Sequence, residues 1–375
     1  MSRIDRIAQA GSIRVNQQVT DLKLAGRDVT VLSLGEAFFD IPPFDFQKLE
    51  FAKGYHYADS RGVEGLRRRI AELYTERYGV AVSADKNVLV STGSKMCVYL
   101  ALMAMISPGD EVLVQEPYWL SYPAQVELAG GVPRAMPHWT KPGGFAEFFT
   151  QKTRAVILNN PNNPAGSVYS EKALRQVRDV CRAHGATLLV DEAYSDFCDE
   201  GSFVSAGRID PTLEDVVIVN SLSKNMGMSG WRLGYVLANE RRSNDVLKVN
   251  QHLVTCAPTI LQMYCDTYWD DLARAVAPQV RATVDKRRRV QAAIDRLGLE
   301  AMPGASTFYF MVDIRRSGLG SVAYAERLLA EHAIAVVPGR YYGESTDAFV
   351  RVGIGTESEE RIVRALEVIG ETLRG

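Results

Sequence analysis

The stretch VVIVNSLSKNMGMSGWRLGYV, residues 216–236, shapes the interpretation of the whole chain. It joins two apolar, β-branched runs, Val216–Val219 and Leu233–Leu237, through a polar loop. Both runs have the length and composition of β-strands. The loop between them carries four candidate functional side chains: Ser221, Ser223, Lys224 and Arg232.

The lysine of this loop has two interpretations. Most lysines are solvated surface charges, so Lys224 alone would be read as a loop cation. Alternatively, it is an amine held in a pocket, since a partly desolvated lysine loses its proton and becomes a nucleophile. Arg232 and the two serines favour the second interpretation, because a guanidinium fork and hydroxyl groups suit a phosphate. The loop therefore predicts a site for an aldehyde that carries a phosphate.

Composition is that of an ordinary globular chain. Of the 375 residues, 46% are hydrophobic and 23% are charged, as in typical soluble proteins. The formal net charge of −2 provides no basic footprint for nucleic acid or an anionic membrane. The one basic run, Lys286–Arg289, falls in a helical pattern and is typical of a solvated face. We expect no nucleic-acid partner and no membrane partner.

The cysteines and the N-terminal residues indicate a reduced, cytoplasmic protein. The cysteines are odd in number and have no metal-ligand spacing, so we expect neither a disulfide framework nor a metal site. The first residues, MSRIDRIAQAG, lack the apolar core of a signal peptide. The apolar segment Met96–Ile106 is too short to span a bilayer. The cysteines are Cys97, Cys181, Cys198, Cys256 and Cys265.

Apolar runs alternate with helix-length segments through the middle of the chain. Such alternation predicts an α/β fold, with a mainly parallel sheet covered by helices on both faces. Before it we expect a helix over Ile4–Lys23, a strand over Val29–Leu34 and a helix over Leu66–Tyr78. The runs are Val88–Val90, Val112–Val114, Ala155–Leu158, Thr187–Val190, Val216–Val219 and Leu233–Leu237.

Polar clusters follow four of these runs directly. The carboxyl ends of parallel strands lie along one edge of a sheet, where ligands bind in such folds. The four clusters are therefore expected to converge at one site. They are residues 91–95, 159–163, 191–194 and 220–224.

The C-terminal part is predicted to form a smaller α/β unit. After a linker beyond Asn250, we expect a helix from Asp271 to Leu297, with Pro278 at a kink or in the first turn. A capping box over Thr356–Glu359 predicts the start of the last helix. The other elements are strands Phe308–Ile314, Ala335–Val337 and Phe349–Ile354 and helix Val322–His332. The predicted domains are residues 45–275 (large) and residues 1–44 with 276–375 (small).

Two of the clusters suit opposite charges. The backbone N–H groups of Gly93-Ser94-Lys95, between a strand and a helix, suit an anion, although a plain helix cap is the alternative. Asp191 follows an apolar strand, and a buried unpaired carboxylate costs several kcal/mol. It therefore needs a cation, for which a protonated ring nitrogen is suitable. A Walker-B strand ending at Asp191-Glu192 is a rival, but the GxxxxGK[ST] string that it requires does not occur in the sequence.

Four further side chains have both a structural and a functional interpretation. Asn163 and Tyr194 can donate to a phenolate oxygen, or can be an Asx-turn and a core tyrosine. Trp119 offers a flat face for ring stacking, or is a core aromatic. Arg351, in an apolar strand, needs an anion, which is either a substrate carboxylate or an internal carboxylate.

Together these motifs resemble those of the fold-type-I, class I/II aminotransferases, the aspartate aminotransferase-like enzymes. The resemblance covers nearly the whole chain and implies pyridoxal 5′-phosphate as cofactor. The motifs are Tyr57 with Gly62 and Leu66-Arg67; Gly93-Ser-Lys; Pro117-Tyr-Trp; Asn163-Pro-x-Gly; Asp191-x-x-Tyr194; Ser221-x-Ser-Lys224; Arg232; Pro338-Gly339; and Arg351.

The resemblance implies a role for each matching residue. Lys224 would form the Schiff base and act as the acid/base catalyst, Asp191 would pair with the pyridinium, and Tyr194 would hold the ring oxygen with Asn163. Arg351 would grip the substrate carboxylate. The implied phosphate ligands are Ser94, Lys95, Ser221, Arg232 and, from a neighbouring subunit of a homodimer, Tyr57. Trp119 would stack on the ring, and Gly35, Trp119 and Asn163 would also lie at the substrate.

The implied activity is transfer of an amino group from an L-amino acid to a 2-oxo acid, through a pyridoxamine phosphate intermediate. Elimination, replacement or cyclisation on the same fold is the rival within enzymes, and a non-catalytic cofactor-binding regulator is a rival outside them. Departures from the family pattern at Leu34–Phe39 and Ser306–Tyr309 affect the expected substrate side-chain pocket. Phe38 and Phe39 there favour an apolar or aromatic side chain.

Overall fold

A computed structural model describes residues 4–7, 9 and 11–374. Its strands match the apolar runs of the sequence and add Val132–Met136, which the sequence did not predict because only part of it is apolar. The strands are β1 (Thr30–Val31), β2 (Val88–Ser91), β3 (Glu111–Gln115), β4 (Val132–Met136), β5 (Thr153–Asn159), β6 (Thr187–Asp191), β7 (Val216–Ser221), β8 (Gly234–Leu237), β9 (Tyr309–Asp313), β10 (Ile334–Ala335), β11 (Val337–Pro338) and β12 (Phe349–Gly353).

Helices fill most of the segments between the strands. No helix in the described part of the chain has the length and apolarity needed to cross a lipid bilayer. The helices are α1 (Gly11–Leu24), α2 (Phe51–Gly54), α3 (Glu64–Tyr78), α4 (Ser94–Met105), α5 (Tyr122–Leu128), α6 (Glu171–Ala183), α7 (Leu222–Asn225), α8 (Glu240–Leu253), α9 (Thr259–Thr267), α10 (Trp269–Arg296), α11 (Ser321–His332) and α12 (Glu359–Thr372).

A seven-stranded sheet forms the centre, in the order β2-β8-β7-β6-β5-β3-β4. All neighbouring pairs from β7 to β4 are parallel, whereas β8 runs antiparallel to both β7 and β2. The prediction of a mainly parallel sheet is confirmed. Because β8 is reversed, its first residue lies at the same edge as the carboxyl ends of β2, β5, β6 and β7. Arg232, just before β8, is thereby brought back to the edge that Lys224 occupies.

The sheet is buried on both faces, as the continuous apolar strands predicted. Successive residues of β6 show this directly, because Leu188 and Val190 pack on one face of the sheet and Leu189 packs on the other. One face packs against α3, α6 and α9, the other packs against α4, α5 and α8, and the two layers together form the core of the central sheet. The sheet is therefore a fixed platform for whatever lies at its edge.

A second core lies around a three-stranded antiparallel sheet in the order β11-β12-β9. Helices α10, α11 and α12 contribute to it, and Tyr194 and Phe197, from the loop after β6, also reach into it. The division at residues 275 and 276 stays a prediction, and α10 runs continuously through that point. The loop after β6 thus joins the edge of the central sheet to the second core.

Several predicted boundaries were wrong. The predicted strand Ala335–Val337 is two strands, because β10 pairs with β1 whereas β11 pairs with β12. The last helix is capped by Ser358, whose side chain accepts from the Arg361 N–H, so the box starting at Thr356 does not begin it. Pro278 lies inside α10 rather than in its first turn.

The N-terminal elements and the linker also differ from prediction. The strand predicted over 29–34 is reduced to β1, and the first helix begins at Gly11, with a 3-10 turn at Ile4–Arg6. Some of the predicted residues 4–23 (residues 8 and 10) lie outside the described residues. The predicted linker contains α9, which packs against α3.

Truncation of Leu189 tests the two-faced burial of the sheet. Leu189 in β6 is fully buried, so Leu189→Ala is expected to lower the free energy of unfolding by about 2–4 kcal/mol. Leu24 at the end of α1 is 83% exposed, and Leu24→Ala should change stability by less than about 0.5 kcal/mol. Chemical denaturation of both variants measures the difference, and equal shifts would contradict the described core.

Candidate active site

A cleft of about 370 Å³ opens at the carboxyl edge of the central sheet. Nearly all the side chains predicted for the site line it, together with the second sheet's Tyr309 and Arg351. The sequence-predicted residues in the cleft are Gly35, Ser94, Lys95, Trp119, Asn163, Asp191, Tyr194, Ser221, Lys224, Arg232 and Arg351. The convergence expected from strand order is therefore present.

Lys224 projects its amine into this cleft from α7, a single helical turn. The turn is capped by Ser221, whose side chain accepts from the Ser223 N–H at 3.0 Å. The Nζ atom donates to the Gly35 carbonyl oxygen at 2.6 Å. Burial lowers the pKa of Lys224 to about 8, although the nearby Glu36 carboxylate raises it in part. A larger fraction of this amine is thus neutral near pH 7 than of a solvent-exposed lysine, which favours its use as a nucleophile or base.

Asp191 ends β6 with its carboxylate buried. The Tyr122 hydroxyl donates to Oδ2 at 2.8 Å, and the Ala193 N–H donates to Oδ1 at 3.0 Å. Burial raises the pKa of Asp191 to about 6. Asp191 forms no ion pair with any described residue between 11 and 374. A buried carboxylate with two donors and no cation is suited to a positively charged ligand.

The opposite end of the cleft suits an anion. Gly93 caps α4 without a side-chain hydrogen bond and has φ +85°, so the N–H groups of the first turn stay open. A Cβ at this glycine would lie 2.7 Å from an Arg232 guanidinium nitrogen. Arg232 has φ +56° and donates to the Ser229 carbonyl at 2.8 Å. The N-terminus of α4 and the Arg232 guanidinium thus lie on two sides of one small volume, which suits an anion.

Ser221 and Lys95 are engaged locally at this end. The Ser221 hydroxyl donates to the Leu233 carbonyl at 3.3 Å while it caps α7. The Lys95 amine lies 5.0 Å from the centroid of the Trp119 ring. Burial and the charge of Arg232 lower the pKa of Lys95. Trp119 itself packs edge-to-face on Tyr122, the residue that donates to Asp191, so each ring fixes the position of the other.

The Tyr194 hydroxyl is the centre of a buried cluster. Asn163 Nδ2 donates to it at 3.0 Å, and the Tyr309 hydroxyl lies 3.1 Å away. Burial raises the pKa of Tyr194 to about 12, so the phenol stays protonated at neutral pH. It is therefore a hydrogen-bond donor directed by two fixed neighbours.

Arg351 lies beside this cluster, in β12. It donates to Asn163 Oδ1 at 3.3 Å and to the Ser33 carbonyl at 2.7 Å, and its guanidinium lies 4.4 Å from the Tyr309 ring centroid. Its Nε has no hydrogen-bond partner in the described structure. The internal carboxylate considered as an alternative is not among its contacts in that part of the chain. A carboxylate ligand would supply acceptors that the guanidinium fork lacks.

Tyr57 is the one predicted site residue outside the cleft. Its side chain is 85% exposed and lines a separate surface groove of about 600 Å³. Tyr55 and Phe51 on the same segment are also exposed. Tyr57 therefore makes no contribution to the cleft of its own chain.

Sequence reasoning missed residues that line the cleft, among them Asn16 and Ser33, and two that contact its residues from outside, Tyr122 and Glu36. Tyr122 is three positions after Trp119, at the start of α5, and that spacing was the available signal. Asn16 and Ser33 bond to each other, with the Ser33 hydroxyl donating to Asn16 Oδ1 at 2.9 Å, and both line the cleft. Glu36 accepts from the Ser229 hydroxyl near Lys224. No local pattern marks these residues, because their approach depends on the packing of distant segments.

Comparison with known proteins places this chain in a family. A model of the family "Aminotransferase class I and II" matches residues 21–369. The probable aspartate/prephenate aminotransferase of Thermus aquaticus is 31% identical, over 99% of this chain and 98% of that protein. The arginine–pyruvate transaminase of Pseudomonas aeruginosa is 30% identical, over 93% and 92%. The structure of Thermus thermophilus aspartate aminotransferase with maleate superposes with a TM-score of 0.91, at 30% identity and 99% coverage of both chains.

The fold and the cleft therefore define a fold-type-I transferase of the α/β class. The chain belongs to the aminotransferase class I and II family, and it is an aminotransferase. Enzymes of this family use pyridoxal phosphate with amino-acid and oxo-acid substrates and are typically dimers. The resemblance seen in the motifs is confirmed over nearly the whole chain.

Titration of Lys224 in cofactor-free protein tests the electrostatics of the cleft. The rate of its acylation, followed by mass spectrometry of the peptide, should rise with pH with a midpoint near pH 8, because burial lowers the pKa of Lys224 to about 8 from its ordinary value of 10.5. Glu36→Gln should lower this midpoint and Arg351→Met should raise it, because the Glu36 charge raises the pKa and the Arg351 charge lowers it. Shifts of both variants in the same direction would contradict this description.

Proposed function

We propose that this chain binds pyridoxal 5′-phosphate in the cleft and uses Lys224 to transfer an amino group from an L-amino acid to a 2-oxo acid. The observation that carries the proposal is the desolvated amine of Lys224, placed in one cleft with the anion-suited end at Gly93 and Arg232 and with Asp191, which lacks a cation. Each of these three features matches one chemical group of the cofactor.

The residues present fit this cofactor. Its phosphate would be held by the first turn of α4 at Ser94 and Lys95, by Ser221 and by Arg232, where donors already surround a small volume. Its protonated ring nitrogen would form an ion pair with the Asp191 carboxylate. Its ring oxygen would accept hydrogen bonds from Asn163 and Tyr194. Trp119 would cover the ring face.

Pyridoxal phosphate supplies an aldehyde that condenses with amines and a ring that withdraws electrons from the substrate α-carbon. In this chain, Asp191 would pair with a protonated ring nitrogen, because a carboxylate so deeply buried is stabilised by a cation. Lys224 accepts and returns the α-proton at Nζ, for which a pKa of about 8 is well placed. The buried phenol of Tyr194 holds its proton and directs it to the ring oxygen.

The substrate carboxylate would be bound by Arg351, whose fork suits two oxygens. Gly35 would lie next to it, since its carbonyl already meets the Lys224 amine. The similar proteins bear names with different substrates, among them aspartate and prephenate, and arginine and pyruvate. The family thus varies its side-chain pocket, and an apolar or aromatic donor is our proposal for this chain on account of Phe38 and Phe39.

Reduction with borohydride tests the proposal. The cofactor-supplied protein should retain a pyridoxyl group on Lys224 by mass spectrometry, and Lys224→Ala should lose this label and lower transamination at least about 10²–10⁴-fold. A panel of amino donors with a 2-oxo acid measures amine transfer against release of ammonia or pyruvate. An unmodified Lys224, or ammonia release without amine transfer, would overturn the assignment.

We also propose a cytoplasmic homodimer in which Tyr57 of one subunit completes the site of the other. Its exposure beside Tyr55 and Phe51 supports this, because such a cluster is unusual on a free surface. All five cysteines are free thiols, which supports a reducing compartment.

Subunit mixing tests the shared site. Tyr57→Ala and Lys224→Ala subunits should each be weak alone, whereas their heterodimer should regain one intact site and up to about half of the wild-type activity per dimer. The gain arises only if the tyrosine acts across the interface. Sedimentation confirms heterodimer formation, and a heterodimer without regained activity would exclude the shared site.

A further inference from the structure

A buried arginine outside the cleft connects two of its walls. Arg287 of α10 lies in the basic run that was predicted to be a solvated face, but it is almost fully buried, so that prediction is wrong at this position. It forms no ion pair with any described residue between 11 and 374. Its guanidinium donates to the Tyr309 carbonyl at 3.0 Å and to the Gly304 carbonyl at 2.7 Å, and it lies 4.0 Å from the Phe310 ring centroid. A buried cation that satisfies backbone carbonyls instead of a carboxylate is costly to maintain.

The turn that carries Asn163 packs against this arginine. Gly166 ends the turn with φ +74°, and a Cβ there would lie 2.5 Å from the Ser306 carbonyl and 2.7 Å from an Arg287 nitrogen. A Cβ at Gly304 would lie 2.3 Å from the Ala165 carbonyl. The turn of residues 162–166 and the segment of residues 304–309 are thus in direct contact, and Arg287 packs against both.

Ser306 joins the two segments by hydrogen bonds. Its hydroxyl donates to the Gly166 carbonyl at 2.7 Å, and its N–H donates to the same oxygen at 3.0 Å. The Gly166 N–H in turn donates to the Asn162 carbonyl at 2.8 Å, which closes the turn around Asn163. Ser306 is one of the positions at which this chain departs from the family pattern, so the hydroxyl bond is a feature of this sequence.

Both connected segments end at the same active-site groups. Asn163 and Tyr309 contact the Tyr194 hydroxyl, and both contact Arg351, through Asn163 Oδ1 and through the Tyr309 ring. The orientation of the Arg351 guanidinium therefore depends on the relative position of the two segments. That position is set by the contacts of Arg287 and Ser306.

We propose that Arg287 and Ser306 are positioning residues that align Arg351 and Asn163 for the substrate carboxylate. Neither reaches the cleft, and both act through the Gly166 and Tyr309 backbones. This inference deepens the proposed function, since it rests on Arg351 as the carboxylate-binding residue. Because the carboxylate is held throughout the reaction, misalignment weakens binding of substrate and transition state alike, which raises KM and leaves kcat unchanged.

Ser306→Ala removes one hydroxyl and is the mildest test. We expect KM to rise about three- to tenfold for the amino acid and for the 2-oxo acid, in line with the loss of one buried hydrogen bond, with kcat within about twofold. Ser202→Ala is the matched control, because Ser202 donates to the Asp199 carbonyl at the same 2.7 Å but lies on the surface. It should leave both constants unchanged.

Arg287→Lys tests the arginine and Arg288→Met is its control. Lysine retains the charge but cannot direct a planar fork at two carbonyls, so KM should rise at least as much as in Ser306→Ala. Arg288 is exposed, pairs with Asp285 and Asp199, and should be replaceable without effect. If the Arg287→Lys protein does not fold, the Ser306→Ala result alone decides.

Hydrogen exchange of the cofactor-free protein supplies a readout independent of the reaction. Exchange of the Gly166 amide should be faster in Ser306→Ala than in wild type and in Ser202→Ala. Unchanged exchange, or a lower melting temperature with both KM values at the wild-type level, would overturn the inference. A wild-type protein that binds no cofactor would refute the proposed function instead, and the exchange result would still show whether Ser306 fixes the turn.

Discussion

Burial of charge without a resident counter-ion is the constraint on which this active site depends. Asp191 ends a fully buried strand, and Lys224 stands on a single turn of helix after the next strand. Removal of water lowers the pKa of the amine and raises that of the carboxylate, so both groups are pushed towards neutrality. The cleft is thus primed for a ligand whose own charges complement these groups, and the parallel sheet holds them at a fixed separation.

The Tyr194 hydroxyl connects the two cores of the protein. Its residue belongs to the loop after β6, but its ring packs with the second sheet. A hydrogen bond from Asn163 and a hydroxyl–hydroxyl hydrogen bond with Tyr309 hold it between the central sheet and β9. The polar chemistry of the site and the apolar packing between the two sheets therefore share the same residues.

Much of the fold and most of the cleft could be predicted from the sequence. The continuous apolar runs identified the buried strands, and the polar residues directly after them identified the edge, because strand direction alone brings Lys224 and Asp191 together. The reversal of β8 has no local signal, although it is what brings Arg232 to that edge. Ser33 could not be predicted either, since its position follows from the packing of distant segments.

Element boundaries were predicted less well where tertiary pairing decides them. The three residues 335–337 look like one strand, yet Ala335 and Val337 hydrogen-bond to different sheets. Ser358 rather than Thr356 caps α12, because both residues suit a cap and the choice depends on where the chain leaves β12. The roles of the individual cleft residues remain predictions, since position alone does not establish chemistry.

The tight contact between Gly93 and Arg232 has an evolutionary consequence. A residue with a side chain at position 93 would have to adopt φ +85° and displace the Arg232 guanidinium, so this position tolerates few substitutions. Phe38, by contrast, is largely exposed and can be exchanged without disturbing a packed core. Substitutions at Phe38 can therefore accumulate while Gly93 stays constant, so the two positions differ in their tolerance to directed evolution.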